Sequence, residues 1–146
     1  MYEHQWEQAV EHYLTVDRGI FVSPKYLVGE RGGWERWPDF LAVDFRNRCV
    51  WTVEVTVGNG DNAVERAVTY DADYVPRIKA QLVANSVVTL PAENDWREWS
   101  FGFWLFAPTH SCDRIRRRVA HLPLKSQITA LEEVAFEWQW WDERFR

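Results

Sequence analysis

The stretch RWPDFLAVDFRNRCVWTVEVTVG, residues 36–58, decides the fold. FLAVDF alternates apolar and polar positions well enough for a strand. RNR supplies a short turn, and CVWTVEVTVG is a second strand, so the whole reads as a β-hairpin. Strand alternation puts Cys49, Trp51, Val53, Val55 and Val57 on one face, and Val50, Thr52, Glu54 and Thr56 on the other. Two acids stand out against this pattern. Asp39 follows Pro38 at the mouth of the first strand, and Glu54 lies between Val53 and Val55 inside the second. Desolvating a lone carboxylate is very costly, so a metal ion or a basic partner should compensate Glu54.

Before the hairpin, residues 3–15 place Trp6, Ala9, Val10, Tyr13 and Leu14 on one helical face, with Glu3, Glu7 and Glu11 at a four-residue stride on another. IFVSPKYLVG, residues 20–29, reads as a strand weakened or bulged at Pro24, and the glycine-rich GERGGWERW as a loop. After the hairpin, GNGD is a strong breaker. Residues 62–85 then read as helix, bent or restarted at Pro76. SVVTLPAENDWRE holds a short strand at most. WSFGFWLFAP, residues 99–108, is apolar throughout and reads as a buried central strand. SCDRIRRRVAHL reads as a helix capped by Ser111, and the tail from Lys125 as a segment that begins helical. The order helix, strand, hairpin, helix, strand, helix implies one mixed sheet covered by helices, an α/β fold in a single domain over residues 1–146.

The chain has 146 residues, room for one sizeable core and little room for two. Seventeen basic residues against twenty-two acidic ones give a net charge of −5, which counts against strong non-specific affinity for nucleic acid but leaves space for a local basic face. Ten tryptophans are an excess that core packing or base stacking would each use. Cys49 and Cys112 lack metal-knuckle or redox spacing and read as reduced thiols, and the four histidines show no zinc-ligand spacing with them. No apolar run has the length of a membrane span, and MYEHQWEQAV does not read as a signal peptide. A cytoplasmic location is the expectation.

Pro38-Asp39, a hairpin, and Glu54 followed two residues later by a polar group resemble the PD-(D/E)XK nuclease superfamily, over roughly residues 3–110. Glu7 resembles the acidic residue that many members carry on the first helix. The resemblance implies a restriction-endonuclease-like mixed β-sheet with an antiparallel hairpin, flanked by helices. It also implies Mg²⁺-dependent (or Mn²⁺-dependent) hydrolysis of phosphodiester bonds in nucleic acid, DNA being the expected substrate. Phosphodiester hydrolysis needs charge stabilisation on the phosphate and an activated water, and divalent ions supply both. Mg²⁺ takes oxygen ligands and typically one or two carboxylates. Asp39 and Glu54 are the expected metal ligands, with the Val55 carbonyl as a third by resemblance and Glu7 assisting directly or through water.

One position departs from the family pattern. Where members usually carry a lysine, this chain has Thr56, whose hydroxyl can orient water but brings no charge. Three readings follow: the lysine's role has moved to Lys79 or Arg66 on the following helix, or Thr56 and metals suffice, or the domain binds nucleic acid or a protein partner without cleaving. Other roles for the same residues are simple ones. Pro-Asp is common in turns, and Glu54 could pair with Arg46 or Arg48 of its own hairpin. The densest positive cluster is residues 113–118, where Arg114, Arg117 and Arg118 share a helical face suited to phosphate contacts. Arg31, Trp34 and Arg36 in the glycine-rich loop are further candidates for contact with DNA or a partner. A domain this short leaves little room for a recognition subdomain, so a homodimer or a targeting protein partner is expected.

Overall fold

The computed structural model describes residues 2–24, 28–29, 35–36, 38–69, 75–123 and 125–137. Helix α1 (Tyr2–His12) carries the apolar face read from its spacing, and continues into a π-helical turn over Tyr13–Asp17. Strands β1 (Phe21–Pro24), β2 (Val28–Gly29) and β3 (Glu35–Arg36) follow, then the hairpin strands β4 (Phe40–Asp44) and β5 (Cys49–Val55). After these come α2 (Asp61–Thr69), α3 (Val75–Ala84), β6 (Ser100–Ala107), α4 (Thr109–Val119), β7 (Lys125–Ala130) and α5 (Leu131–Glu137).

The sheet has five strands in the order β1-β4-β5-β6-β7, and β2 and β3 form a separate two-stranded ribbon. The β1, β4 and β5 pairings are antiparallel, whereas β5 with β6 and β6 with β7 are parallel. The sheet is therefore mixed, with the hairpin joined to a parallel pair through a helical crossover. The RNR turn closes because the Asp44 carboxylate accepts the amides of Arg46 and Asn47, each at 3.1 Å, and the Asn47 side chain at 2.8 Å. Every residue of β5 is buried, as expected of a strand with neighbours on both edges and helices on both faces.

The alternation read in β5 sorts its side chains between two cores. Cys49, Trp51, Val53 and Val55 pack with Val10, Tyr13 and Leu14 of α1 and its extension, and with Leu131 and Val134 of α5. Val50 faces the other way, among Ala63, Val64, Ala67, Ile78, Leu82, Ile115 and Val119 from α2, α3 and α4. Trp104 stacks on Phe106 with ring centroids 5.2 Å apart, meets Trp51 edge-on, and donates its indole N–H to the Thr129 hydroxyl at 3.0 Å. Trp51 and Trp104 are thus core residues, while Trp6, Trp96 and Trp99 pack half-buried against the two cores. Gly102 in β6 is the place where this aromatic layer meets backbone. A Cβ there would come within 2.6 Å of the Trp51 ring and 2.8 Å of the Lys125 carbonyl oxygen.

Three expectations are corrected. The tail from Lys125 begins as strand β7, because pairing with β6 satisfies its backbone, and helix α5 starts only at Leu131. Residues 62–85 hold two helices, α2 and α3, in keeping with the reading of a restart at Pro76, which lies in the first turn of α3, where its missing N–H costs nothing. Helix α4 starts at Thr109 with Pro108 as its N-cap, so Ser111 lies inside the helix; its hydroxyl donates to the Gly58 carbonyl at 3.3 Å. The orphan amide of Thr109 is taken by the Glu132 carboxylate of α5 at 3.0 Å. The reading of residues 20–29 as one strand gives way to β1 and β2. Of the glycine-rich loop, Arg31 and Trp34 lie outside the described residues, as does the side chain of Arg36. Among the described residues no helix is long and apolar enough to cross a membrane.

Candidate functional site

Asp39 stands one residue before β4, and the register Phe40↔Val53 brings it level with the C-terminal end of β5. Its Oδ2 accepts the Val55 amide at 2.7 Å. Pro38-Asp39 is therefore a structural clamp as well as a turn: it holds the ends of the two hairpin strands together at the point where Glu54 projects.

Glu54 is 3 % exposed, and its surroundings answer the question raised by the sequence. A basic partner compensates it. Arg66 on α2 grips it with two parallel bonds, Nε to Oε1 and Nη2 to Oε2, each 3.1 Å. Such a fork is among the stronger charge-assisted arrangements. The hairpin arginines are not involved: Arg48 pairs with Glu98, and the turn lies at the far end of a seven-residue strand, about 20 Å from Glu54.

A third acid joins these two. Burial, the Glu54 charge and the Glu7 charge, in which a side-chain hydrogen bond with Glu7 also takes part, push the Asp39 carboxyl up from 3.8 to about 7, against the lowering effect of the Val55 amide. Glu7 on α1 and Glu54 on β5 thus both act on Asp39, before β4. This is the trio singled out in the sequence, brought together from three elements.

Asp39 and Glu54, without Glu7, line a cleft of about 460 Å³ together with Val55, Thr56, Arg66 and the loop at residues 58–63. The GNGD breaker forms this wall. Gly60 has φ +80°, which favours glycine, and a Cβ there would meet Ile115 at 2.7 Å. The Asn59 side chain accepts the Asp61 amide at 3.0 Å, capping the start of α2. Asp61 faces two arginines of α4: Arg114 at 3.2 Å and Arg118. Sequence reasoning, which reads GNGD as a breaker, misses Asn59, Gly60 and Asp61 as cleft residues. The signal for them is the pair of polar side chains interleaved with the glycines.

The remaining expected residues fall as follows. Thr56 lines the cleft; its amide donates to the Phe106 carbonyl at 2.9 Å and its hydroxyl accepts the Gly58 amide at 3.2 Å. Lys79 is elsewhere, with its ammonium 5.1 Å from the Phe101 ring centroid and 6.0 Å from that of Trp96. The structure thus brings Arg66, and not Lys79, to Glu54. Arg114 and Arg118 reach the cleft rim through Asp61, while Arg117 is exposed outside that cluster.

Hard carboxylate oxygens are the donors a divalent cation of the Mg²⁺ type selects. Among the described residues no three His, Cys, Asp or Glu side chains form a ready cation cage. Mg²⁺ requires none, since it keeps several waters and takes one or two carboxylates. Burial first, and then the Glu54 and Glu7 charges, raise the Asp39 carboxyl, and a divalent cation would offset the part due to the charges. The donor set therefore fits such an ion, with Arg66 as its rival at Glu54. Comparison with known proteins returned no matching family model, curated protein or solved structure.

Proposed function

We propose that the cleft is the active site of a restriction-endonuclease-like domain that hydrolyses phosphodiester bonds in nucleic acid, DNA being the expected substrate, with Mg²⁺ or Mn²⁺. The observation that carries the reading is the convergence of Asp39 and Glu54, from the ends of two hairpin strands, on one cleft, with the Glu7 charge of α1 close enough to act on Asp39. The order helix, strand, hairpin, helix, parallel strand around them supports it, being the order that the PD-(D/E)XK resemblance implies.

Asp39 and Glu54 would hold the ion, with Glu7 beside them. When bound, the ion would polarise the phosphate and lower the pKa of an attacking water. The chain's own groups do the rest. The Val55 amide orients Asp39. Thr56, on the cleft wall, offers a hydroxyl that orients water. Arg66 supplies the positive charge that Thr56 lacks, on a guanidinium whose geometry suits a phosphate as well as a carboxylate. Arg114 and Arg118 at the rim suit the flanking phosphates of a bound strand.

The fork between Arg66 and Glu54 favours a second reading, a binding module that has exchanged its metal for an internal ion pair. One experiment separates the two. Purified protein is incubated with supercoiled and linear DNA and with RNA in Mg²⁺ or Mn²⁺. Cleavage that chelation stops and Asp39→Ala abolishes supports the nuclease. Cleavage that survives Asp39→Ala at the wild-type rate rejects it, and binding without cleavage under every metal condition selects the module.

A further inference from the structure

Arg66 is bound to Glu54 through the Nε–Nη2 edge of its guanidinium, yet its side chain is 35 % exposed and lines the cleft. Glu54, by contrast, is wholly inside, and both of its oxygens are engaged by this one residue. While the fork is closed, that buried carboxylate already has its charge balanced and one lone pair of each oxygen taken, which weakens it as a ligand for a second cation. We propose that Arg66 is an exchangeable counter-ion: it occupies Glu54 in the metal-free protein, and yields that carboxylate to a divalent cation, swinging into the cleft to meet the phosphate. The inference rests on the reading of the cleft as a cation site and adds to it a competition between two positive groups for one acid.

The physical grounds are three. A part-exposed arginine on a nine-residue helix has other rotamers open to it, the loss of the fork being offset by the incoming cation at Glu54, whereas Glu54 in the middle of the sheet has none. The cleft beside Arg66 has the volume to receive the displaced guanidinium. And the fork that fits a carboxylate fits a phosphate with the same two donors, so the displaced residue finds an equivalent partner on the substrate.

The test is the affinity for Mg²⁺ alone, read by isothermal titration calorimetry at pH 8 without nucleic acid. Arg66→Gln removes the competing charge while keeping an amide near Glu54, and should bind Mg²⁺ about tenfold more tightly than wild type. Arg66→Lys keeps the charge and should restore the wild-type affinity. Equal affinity in all three proteins, or weaker binding by Arg66→Gln, overturns the exchange while leaving the cleft reading intact. Absence of Mg²⁺ and Mn²⁺ binding by the wild type overturns the cleft reading itself. Should Arg66→Gln fail to fold, the wild-type Arg66 Nε–Hε resonance, assigned with Arg66→Lys, decides between the same outcomes. It should move as Mg²⁺ is added, and a signal that stays fixed while the metal binds excludes the exchange.

Discussion

The amide of Val55 donates to the carboxylate of Asp39 at 2.7 Å, across the open ends of the hairpin strands and sixteen positions apart in the chain. This bond fixes Asp39 next to Glu54 in spite of their like charge. A neutral residue at position 39 would keep the hairpin but lose the electrostatic tension, and that tension has a measurable signature in pH.

Folding raises the Asp39 carboxyl from 3.8 to about 7, through burial first and then the neighbouring acids. The folded chain therefore holds this proton more tightly than the unfolded chain. Its contribution to stability is complete below pH about 4, declines as pH rises through about 7, and is constant above. The full span amounts to about 3 kcal/mol after allowance for solvent screening. Denaturant titrations of wild type and Asp39→Asn between pH 4 and 8 should diverge by this amount, the wild type losing more as pH rises. Glu132, held low by its bond to Thr109, acts in the opposite sense, but it is common to both proteins and cancels in the difference. Parallel curves would show that Asp39 is an ordinary carboxylate.

Metal should reverse that effect. On the proposed reading, a divalent cation at Asp39 and Glu54 would take the place of the Asp39 proton, so it would bind more tightly at pH 8 than at pH 6. At a hundred times its dissociation constant it stabilises the native state by about 2.7 kcal/mol. Thermal melts with millimolar Mg²⁺ should rise at pH 8, rise less at pH 6, and stay unchanged in Asp39→Ala. An equal rise in the variant would place the ion elsewhere.

Loss of Glu54's charge should be felt in the fold as well as the cleft. Glu54→Gln leaves Arg66 beside a neutral amide, and because Arg66 keeps access to water, the cost is about 2 kcal/mol and not the larger penalty of a fully buried orphan charge. Urea denaturation at pH 8 measures it. A variant as stable as wild type would mean that the pair contributes nothing net.

The hairpin and its acids were legible because strand alternation makes an inward-facing charge conspicuous: Glu54 breaks the valine pattern that surrounds it. The two helices after it were legible, but the sequence left a bend and a restart at Pro76 equally open, since proline fits a bend as well as a first turn. Strand β7 was not legible at all. Its exposed half reads Lys-Ser-Gln, which carries no strand signal, and only the parallel edge of β6 gives it a partner. The choice between Arg66 and Lys79 was equally closed to sequence. Both lie on helices after Glu54, and which of them meets it depends on how α2 and α3 dock against the sheet.

The packing at Gly102 makes a separate prediction for the fold that positions the site. Trp51 lies directly on this glycine, and the Lys125 carbonyl closes the other side, so an added methyl has no direction in which to move. Gly102→Ala should cost about 3 kcal/mol, at the upper end of overpacking penalties. Trp51→Leu in the same chain should recover part of that loss by giving space to the methyl. Full stability in the single variant would mean that β6 and β7 can separate without cost.

The arginines of α4 offer the sharpest test of a nucleic-acid partner. Arg114 and Arg118 are held by Asp61 at the cleft rim, and Arg117 is exposed away from it. If the first two each meet a phosphate, the double variant Arg114→Ala/Arg118→Ala should lower the slope of log affinity against log salt by about 2, while Arg117→Ala leaves it nearly unchanged. Asp61→Asn should act in the other direction, because it removes an internal anion that competes with phosphate for both guanidinium groups, and binding should tighten by about fivefold at low salt. Fluorescence anisotropy on a labelled duplex, in Ca²⁺ to suppress cleavage and at three salt concentrations, reads all of these slopes. A loss confined to Arg117→Ala would move the phosphate track to the exposed side of α4 and detach it from the acid cleft.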